Sequence, residues 1–267
     1  MKEASKAPPG SQTLLRGLDV IEAVVDGPIT LAELASKLGL TRSTAHRLAA
    51  ALIERRYLTF APGMGYQLGP KLVELGFLAQ RQTNVVEVAR THLETFALAT
   101  GDTVHLGVLD RDRALYLDKI PGRRRVEISS RVGDRHPLTS TGLGKALLLD
   151  DAPDRWRELF LYDRSTGSPA ADYDVWLARM HDYVGAGRTF DLEENEDLIR
   201  CVAAPIRDAS GAIVAAMSIS SAAQYMADER MKTLSDDVRE VAGAISRDLG
   251  WSAEITARRA ARAGARK

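Results

Sequence analysis

The sequence predicts an α+β protein in two parts: a winged helix-turn-helix, then an antiparallel sheet flanked by helices. Three observations predict it. Short amphipathic helical patterns run as far as Arg56 and are followed at once by a hairpin pattern. From Val104 onward, strand-like stretches are grouped around a helical middle instead of alternating regularly with helices. Arginines also concentrate in the first part, although the 36 Lys and Arg of the 267-residue chain are balanced by 36 Asp and Glu. The neutral balance removes any global signal for nucleic acid, so such a signal must be local. The single cysteine, Cys201, excludes an internal disulfide and gives no cluster for structural zinc, which fits a reducing compartment. The opening MKEASKAPPGSQ has no apolar core of a signal sequence, and no apolar run is long enough to span a bilayer. A cytoplasmic protein without a membrane partner is expected.

Residues 1–10 are polar and read as a disordered lead. Leu14, Leu18, Ile21 and Val25 recur at helical spacing until Gly27-Pro28 stops the pattern, which marks a first amphipathic helix. Thr30 and Glu33 form a Thr-x-x-Glu capping box for a second helix, which buries Leu31, Leu34, Ala35 and Leu38 and ends at Gly39. Thr41 caps a third helix, with Ala45, Leu48, Ala49 and Leu52 on one face and Ser43, His46, Arg47 and Ala50 opposite. The tight Gly39-Leu40 turn makes the last two a helix-turn-helix, and hydroxyls and arginines occupy the exposed N-terminal end that enters a major groove. Tyr57 to Phe60 and Tyr66 to Leu68, joined by a Pro-Gly turn, read as the wing. Arg42, Arg47, Arg55 and Arg56 concentrate positive charge in residues 11–69, which read either as a DNA-binding domain or as a helical unit with solvated arginines, Ser43 and Thr44 supporting the N-cap and His46 packing on the wing.

Residues 70–83 continue helically, with Leu72, Val73, Leu75, Phe77 and Leu78 as a broad apolar face: a linker helix able to pair with its copy. Residues 84–250 form the second domain. A helix runs from Val85 to Leu98, Gly101-Asp102 turns the chain, and Val104, Leu106 and Val108, then Leu115 and Leu117, alternate as a hairpin with a charged turn. RVEISSR, residues 125–131, reads as a third strand. Helices are expected over 140–149, 156–161 and 175–184, and strands over 187–193, 199–208 and 212–221. Met231, Leu234, Val238, Val241, Ile245 and Leu249 mark a long closing helix. The tail, residues 251–267, continues helically and is basic through Arg258, Arg259, Arg262, Arg266 and Lys267; it reads as a frayed, solvated end, with added nonspecific DNA attraction as the alternative.

HPLTSTGLGKALLLDD, residues 136–151, resembles a nucleotide loop, with Gly142, Gly144 and Lys145 ahead of an apolar run. A P-loop needs a glycine where Thr139 stands and a Ser or Thr where Ala146 stands, so both the phosphate cradle and the magnesium ligand are missing. The alternative of a small-molecule hydrolase with a Ser or Cys nucleophile has ingredients in His105, His136, His181, Ser140 and Ser218, but no Gly-x-Ser-x-Gly elbow. No His pair has ligand spacing on a helix, so neither a metal nor another cofactor is expected. Cys201 is either an activated nucleophile or a small wall residue, and with only Arg200 beside it, on the opposite strand face, the wall is favoured. Strand parity puts Ser218 and Ser220 on one face with Val214 and Ala216, lining a polar cavity or facing solvent. Asp191 is either a ligand partner or one surface charge in an acidic run, and Lys145 either meets a carboxylate or is solvated.

LTRSTAHRLAAALIERRYL followed by YQLGPKLVELG resembles the winged helix-turn-helix and linker of the IclR family of bacterial transcriptional regulators. VGDRHPLTSTGLGKALL and GRTFDLEENEDLIRCVAAPIRDASGAIVAAMSIS resemble that family's effector domain, a GAF-like sheet with helices, so the resemblance covers nearly the whole chain. It implies contacts to double-stranded operator DNA from Arg42, Ser43, Thr44, His46 and Arg47. It also implies a small organic acid effector near Gly142, Leu143, Asp191, Ile199, Cys201, Ser218 and Ser220, a non-enzymatic role, and a homodimer or a tetramer built as a dimer of dimers. An acid suits a helix opening at Gly142 and Leu143 behind an N-cap at Ser140 or Thr141, where free amides and the positive dipole end favour an anion. One departure is Arg56, where the family usually has glycine; a left-handed helix end there would strain an arginine.

Overall fold

The computed structural model describes residues 10–125, 128–167 and 172–253. The chain divides into two units, Met1–Thr83 and Asn84–Lys267. The basic residues of the tail lie outside the described residues, as do residues 1–9 of the lead.

The first unit contains α1 (Gln12–Ala23), α2 (Leu31–Leu38), α3 (Arg42–Glu54), β1 (Leu58–Ala61), β2 (Gly65–Leu68) and α4 (Pro70–Gln82). The Thr30 amide donates to the Glu33 carboxylate at 2.8 Å and the Glu33 amide returns to Thr30 Oγ1 at 3.3 Å, the reciprocal pair of a capping box. α2 ends at Gly39, whose φ of 61° is the left-handed conformation that glycine adopts at least cost. β1 and β2 pair antiparallel from Leu58 opposite Leu68 to Ala61 opposite Gly65. Val20, Ala23, Val24, Leu34, Ala35, Ala45, Ala49, Leu58 and Tyr66 form the core.

The α1 stripe does not face that core: Leu14, Leu18 and Val25 are exposed, and the buried face is Val20, Ala23 and Val24. Periodicity detects an apolar side of a helix without revealing what it meets, and here the leucines face outward. α4 likewise buries no side chain, and Val73 and Phe77 are exposed.

The second unit contains α5 (Val85–Thr100), β3 (Thr103–Asp110), β4 (Arg113–Ile120), β5 (Arg135–His136), α6 (Gly142–Leu147), α7 (Pro153–Ser165), α8 (Tyr173–Ala186), β6 (Thr189–Leu192), β7 (Ile199–Arg207), β8 (Ile213–Ala222) and α9 (Asp228–Asp248). The sheet order is β5-β4-β3-β8-β7-β6, with every neighbouring pair antiparallel. One face packs on α5 and α9 through residues such as Leu93, Val104, Met217 and Val238. The other packs on α6, α7 and α8 through Leu143, Trp156, Trp176 and Ala216. Among the described residues no helix is long and apolar enough to cross a membrane.

Two strand expectations differ from the structure. Residues 128–131 are not a strand, because the Lys119 ammonium takes the Ile128 and Ser130 carbonyls at 2.6 and 2.7 Å, in place of a strand ladder. Val126 and Glu127 lie outside the described residues. The strand beside β4 is instead the two-residue β5, with His136 opposite Ala114. In β4 the buried set is Ala114, Tyr116 and Asp118 rather than Leu115 and Leu117, and a register shift at Leu106/Gly107 changes which β4 residues share a face.

Candidate functional site

In the first unit, small Ala45 and Ala49 let α3 lie close on the core, which turns its other side outward. Arg42, Ser43, His46 and Arg47 are exposed there, and neither arginine pairs with an acid among the described residues. Thr41 caps α3: its Oγ1 accepts the Thr44 amide at 3.2 Å, donates to Thr44 Oγ1 at 2.9 Å and lies 3.1 Å from Ser43 Oγ. Thr44 is thus half-buried and engaged in the cap, while Arg42, His46 and Arg47 keep their donors for a partner. Arg56 ends the helix with φ 64°, and the Tyr57 amide reaches back to the Leu52 carbonyl at 2.9 Å, a left-handed helix end made without glycine.

In the second unit the start of α6 is held from several sides. Asp163 accepts from the amide and hydroxyl of Thr139 and pairs with Arg113, while Trp176 Nε1 donates to the Thr139 carbonyl at 2.8 Å. Thr141 is the N-cap, accepting the Gly144 amide at 3.0 Å. Gly142 then sits directly on the sheet: a Cβ there would lie 2.5 Å from Cys201 Sγ and 3.3 Å from the Asp191 amide nitrogen. With only six residues and one amide already capped, α6 offers a smaller dipole than the sequence suggests.

Cross-strand register lays out the sheet face under α6. Asp191, Cys201, Ser220 and Thr103 are successive neighbours across β6, β7, β8 and β3. The next row is Thr189, Ala203, Ser218, His105 and, on β4, Lys119. Asp191, Cys201, Ser218 and Ser220 therefore share one buried face, and Gly142 lies over Cys201 and Asp191. Ile199 has the strand parity of Cys201 and is half-buried. Leu143 is fully buried in the α6 core against Gly107.

Burial dominates the electrostatics. It raises the Asp191 carboxyl to about 6 although Lys145 pulls the other way, and the Glu194 amide donates to its Oδ1 at 2.8 Å. Burial, with Asp191 adding repulsion, pushes the Cys201 thiol up to about 12, so it is a wall and not a nucleophile. Lys145 is buried and its charge is met by Glu194, which also takes Arg179 at 2.5 Å. The acidic run is thus partly internal: Glu193 pairs with Arg200, and Asn195 accepts from Ser140.

Sequence reasoning missed the β3–β4 side of this face. His105 and His136 flank Tyr116, with ring centroids 5.0 and 4.5 Å away. His105 Nε2 is 2.8 Å from Ser130 Oγ, while His105 Nδ1, His136 Nε2 and Ser218 Oγ are buried with no hydrogen-bond partner among the described residues. Burial, reinforced by the Lys119 charge, pushes the His105 imidazole down to about 3, and burial also lowers His136. The one available signal was Gly107, an isolated glycine in a strand that marks the bulge. The Ser130–His105 contact is no hydrolytic dyad, because so weak a base with no acid on Nδ1 cannot activate a hydroxyl near neutral pH.

A winged helix-turn-helix with an outward basic face, carried in one chain with a separate α+β unit, defines a DNA-binding transcriptional regulator. The chain belongs to the IclR family: the model described as Bacterial transcriptional regulator IclR C-terminal matches residues 77–247, and the IclR helix-turn-helix domain matches residues 13–62. It is 31% identical over 261 residues to the DNA-binding transcriptional repressor YiaJ of Escherichia coli, covering 94% of this chain and 93% of that protein. It is 31% identical over 243 residues to the regulator BhcR of Paracoccus denitrificans, covering 89% and 87% of the two chains. Among solved structures, the repressor BlcR of Agrobacterium tumefaciens superimposes with a TM-score of 0.79 at 26% identity, covering 92% of this chain and all 100% of that one. These relatives are named as regulators, and the chain is accordingly a non-enzymatic regulator.

Proposed function

We propose that this regulator binds operator DNA through α3 as a homodimer in the cytoplasm, and that a small organic acid held between α6 and the sheet controls that binding. The effector reading rests above all on Ser218 Oγ, a hydroxyl buried without a partner among the described residues on the face that also carries Asp191, Cys201 and Ser220. An unsatisfied buried hydroxyl costs about 1–3 kcal/mol, and a ligand oxygen would remove that cost. Gly142, Leu143 and Ile199 complete the wall. Assembly is supported by apolar surface on two helices of the first unit, Leu14 and Leu18 on α1 and Val73 and Phe77 on α4, which a second copy would cover. Two such dimers would make the tetramer. Two-fold symmetry then calls for two related half-sites, with Arg42, Ser43, His46 and Arg47 facing each major groove and Thr44 holding the cap.

The test is fluorescence anisotropy with a labelled duplex from the region upstream of the gene, titrated with glyoxylate, a sugar acid and an aromatic acid in turn. One of them is expected to shift operator affinity, and the paired substitution Ser218→Ala with Ser220→Ala to abolish the shift while leaving DNA binding without acid intact. An unchanged acid response in that variant would contradict the pocket assignment.

A further inference from the structure

The effector face has two electrically different ends. At the α6 end the fixed charges oppose one another: Lys145 and Arg179 are both taken by Glu194, and Asp191 lies beside them. An acid group laid there would meet a carboxylate and no unpaired cation. At the β3–β4 end stands Lys119, whose ammonium has three donors and uses two of them on the Ile128 and Ser130 carbonyls. It makes no ion pair with a carboxylate among the described residues, and no acid among them offsets its positive charge. His105, its cross-strand neighbour, is followed in the same row by Ser218. In the tautomer in which Ser130 donates to His105 Nε2, the ring proton is on Nδ1 and meets no acceptor among the described residues, and the Ser218 hydroxyl is a second donor without a partner among them. One unpaired cation and two orphaned donors in one row make a receptor for an anionic oxygen pair.

Resting on the effector reading above, we propose that the acid group of the effector is held by the Lys119–His105–Ser218 row rather than by the start of α6, and that the ligand is a hydroxy acid whose hydroxyl faces Asp191. The ionised Asp191 carboxylate accepts a hydrogen bond from that hydroxyl, and Ser220 and Cys201 wall the space between the two ends. Lys119 and His105 are then the residues that select an acid over its neutral analogue.

Isothermal titration of the full chain with glycolate, D-gluconate and 4-hydroxybenzoate tests this. The tightest binder should lose affinity about tenfold or more in Lys119→Met and keep most of it in Lys119→Arg, which preserves charge and donors. Ser218→Ala guards against a folding artefact: without ligand its melting temperature should equal or exceed that of the wild type, because an unsatisfied hydroxyl is gone, while the same acid binds more weakly. Asp191→Asn should weaken binding as well. Affinity unchanged in Lys119→Met, together with tighter binding in Asp191→Asn, would place the acid group at the α6 end and overturn the proposal while leaving the effector reading standing. No binding of any of the three acids to the wild type would overturn both.

Discussion

Replacing His105 with asparagine should remove an acid-side loss of stability from the second unit. The imidazole is fully buried, beside Lys119, and its folded-state value lies at about 3 against 6.5 for a free histidine. A depressed value means that the stabilisation is complete above 6.5 and is lost as the pH falls toward 3, because only the unfolded chain takes up the proton. Between pH 7 and pH 5 the unfolded histidine becomes almost fully charged, which corresponds to about 2 kcal/mol. Asparagine keeps a partner for Ser130 but does not titrate. Urea titration followed by tryptophan fluorescence is the assay, since Trp156, Trp176 and Trp251 all belong to the second unit and report it alone. The stability difference between wild type and variant should move by about 2 kcal/mol against the wild type from pH 7 to pH 5. A difference constant across that range would mean that the folded chain accepts the proton, and that His105 is not the dry, neutral group described above.

Asp191 should show the opposite sign: with its carboxyl raised to about 6, the stability it contributes is held at low pH and lost as the pH rises through 6, so wild type should gain on Asp191→Asn during acidification. The same urea titrations between pH 4 and pH 7 measure it. Gly142→Ala places a Cβ 2.5 Å from Cys201 Sγ and should cost about 1–3 kcal/mol, most of it recovered when Cys201→Ala is added. Equal stability of Gly142→Ala and wild type would show that α6 does not press on the sheet. Arg56→Gly should relieve a left-handed arginine and stabilise the wing by up to about 1 kcal/mol, seen as amide exchange of residues 57–71 slowed about fivefold.

Much of this was legible in the sequence. The Thr30–Glu33 capping box and the Thr41 cap are present as read, because capping depends on local spacing alone. The position of Arg56 was legible for the same reason. The parity of Ser218, Ser220 and Cys201 was legible because β7 and β8 pair without a register shift from Ile199 to Ile206. What local pattern does not hold is the partner of each face. The α1 leucines have helical spacing whether they meet a core or solvent. The Leu106/Gly107 bulge brought Lys119 onto the site face beside His105, and a bulge changes parity without changing composition. Lys145 stays open in the sequence between meeting a carboxylate and facing solvent, since its pairing with Glu194 across 49 positions is set by tertiary contact only.

The most direct test of the account is the salt dependence of operator binding by wild type and Arg47→Ala, measured by anisotropy on the upstream duplex. Arg47 is exposed on the outward face of α3 with no acidic partner among the described residues. If it contacts phosphate, its loss should weaken binding and lower the slope of log affinity against log salt by about one per arginine removed. Unchanged affinity and slope in Arg47→Ala would contradict the assignment of α3 as the element that holds DNA.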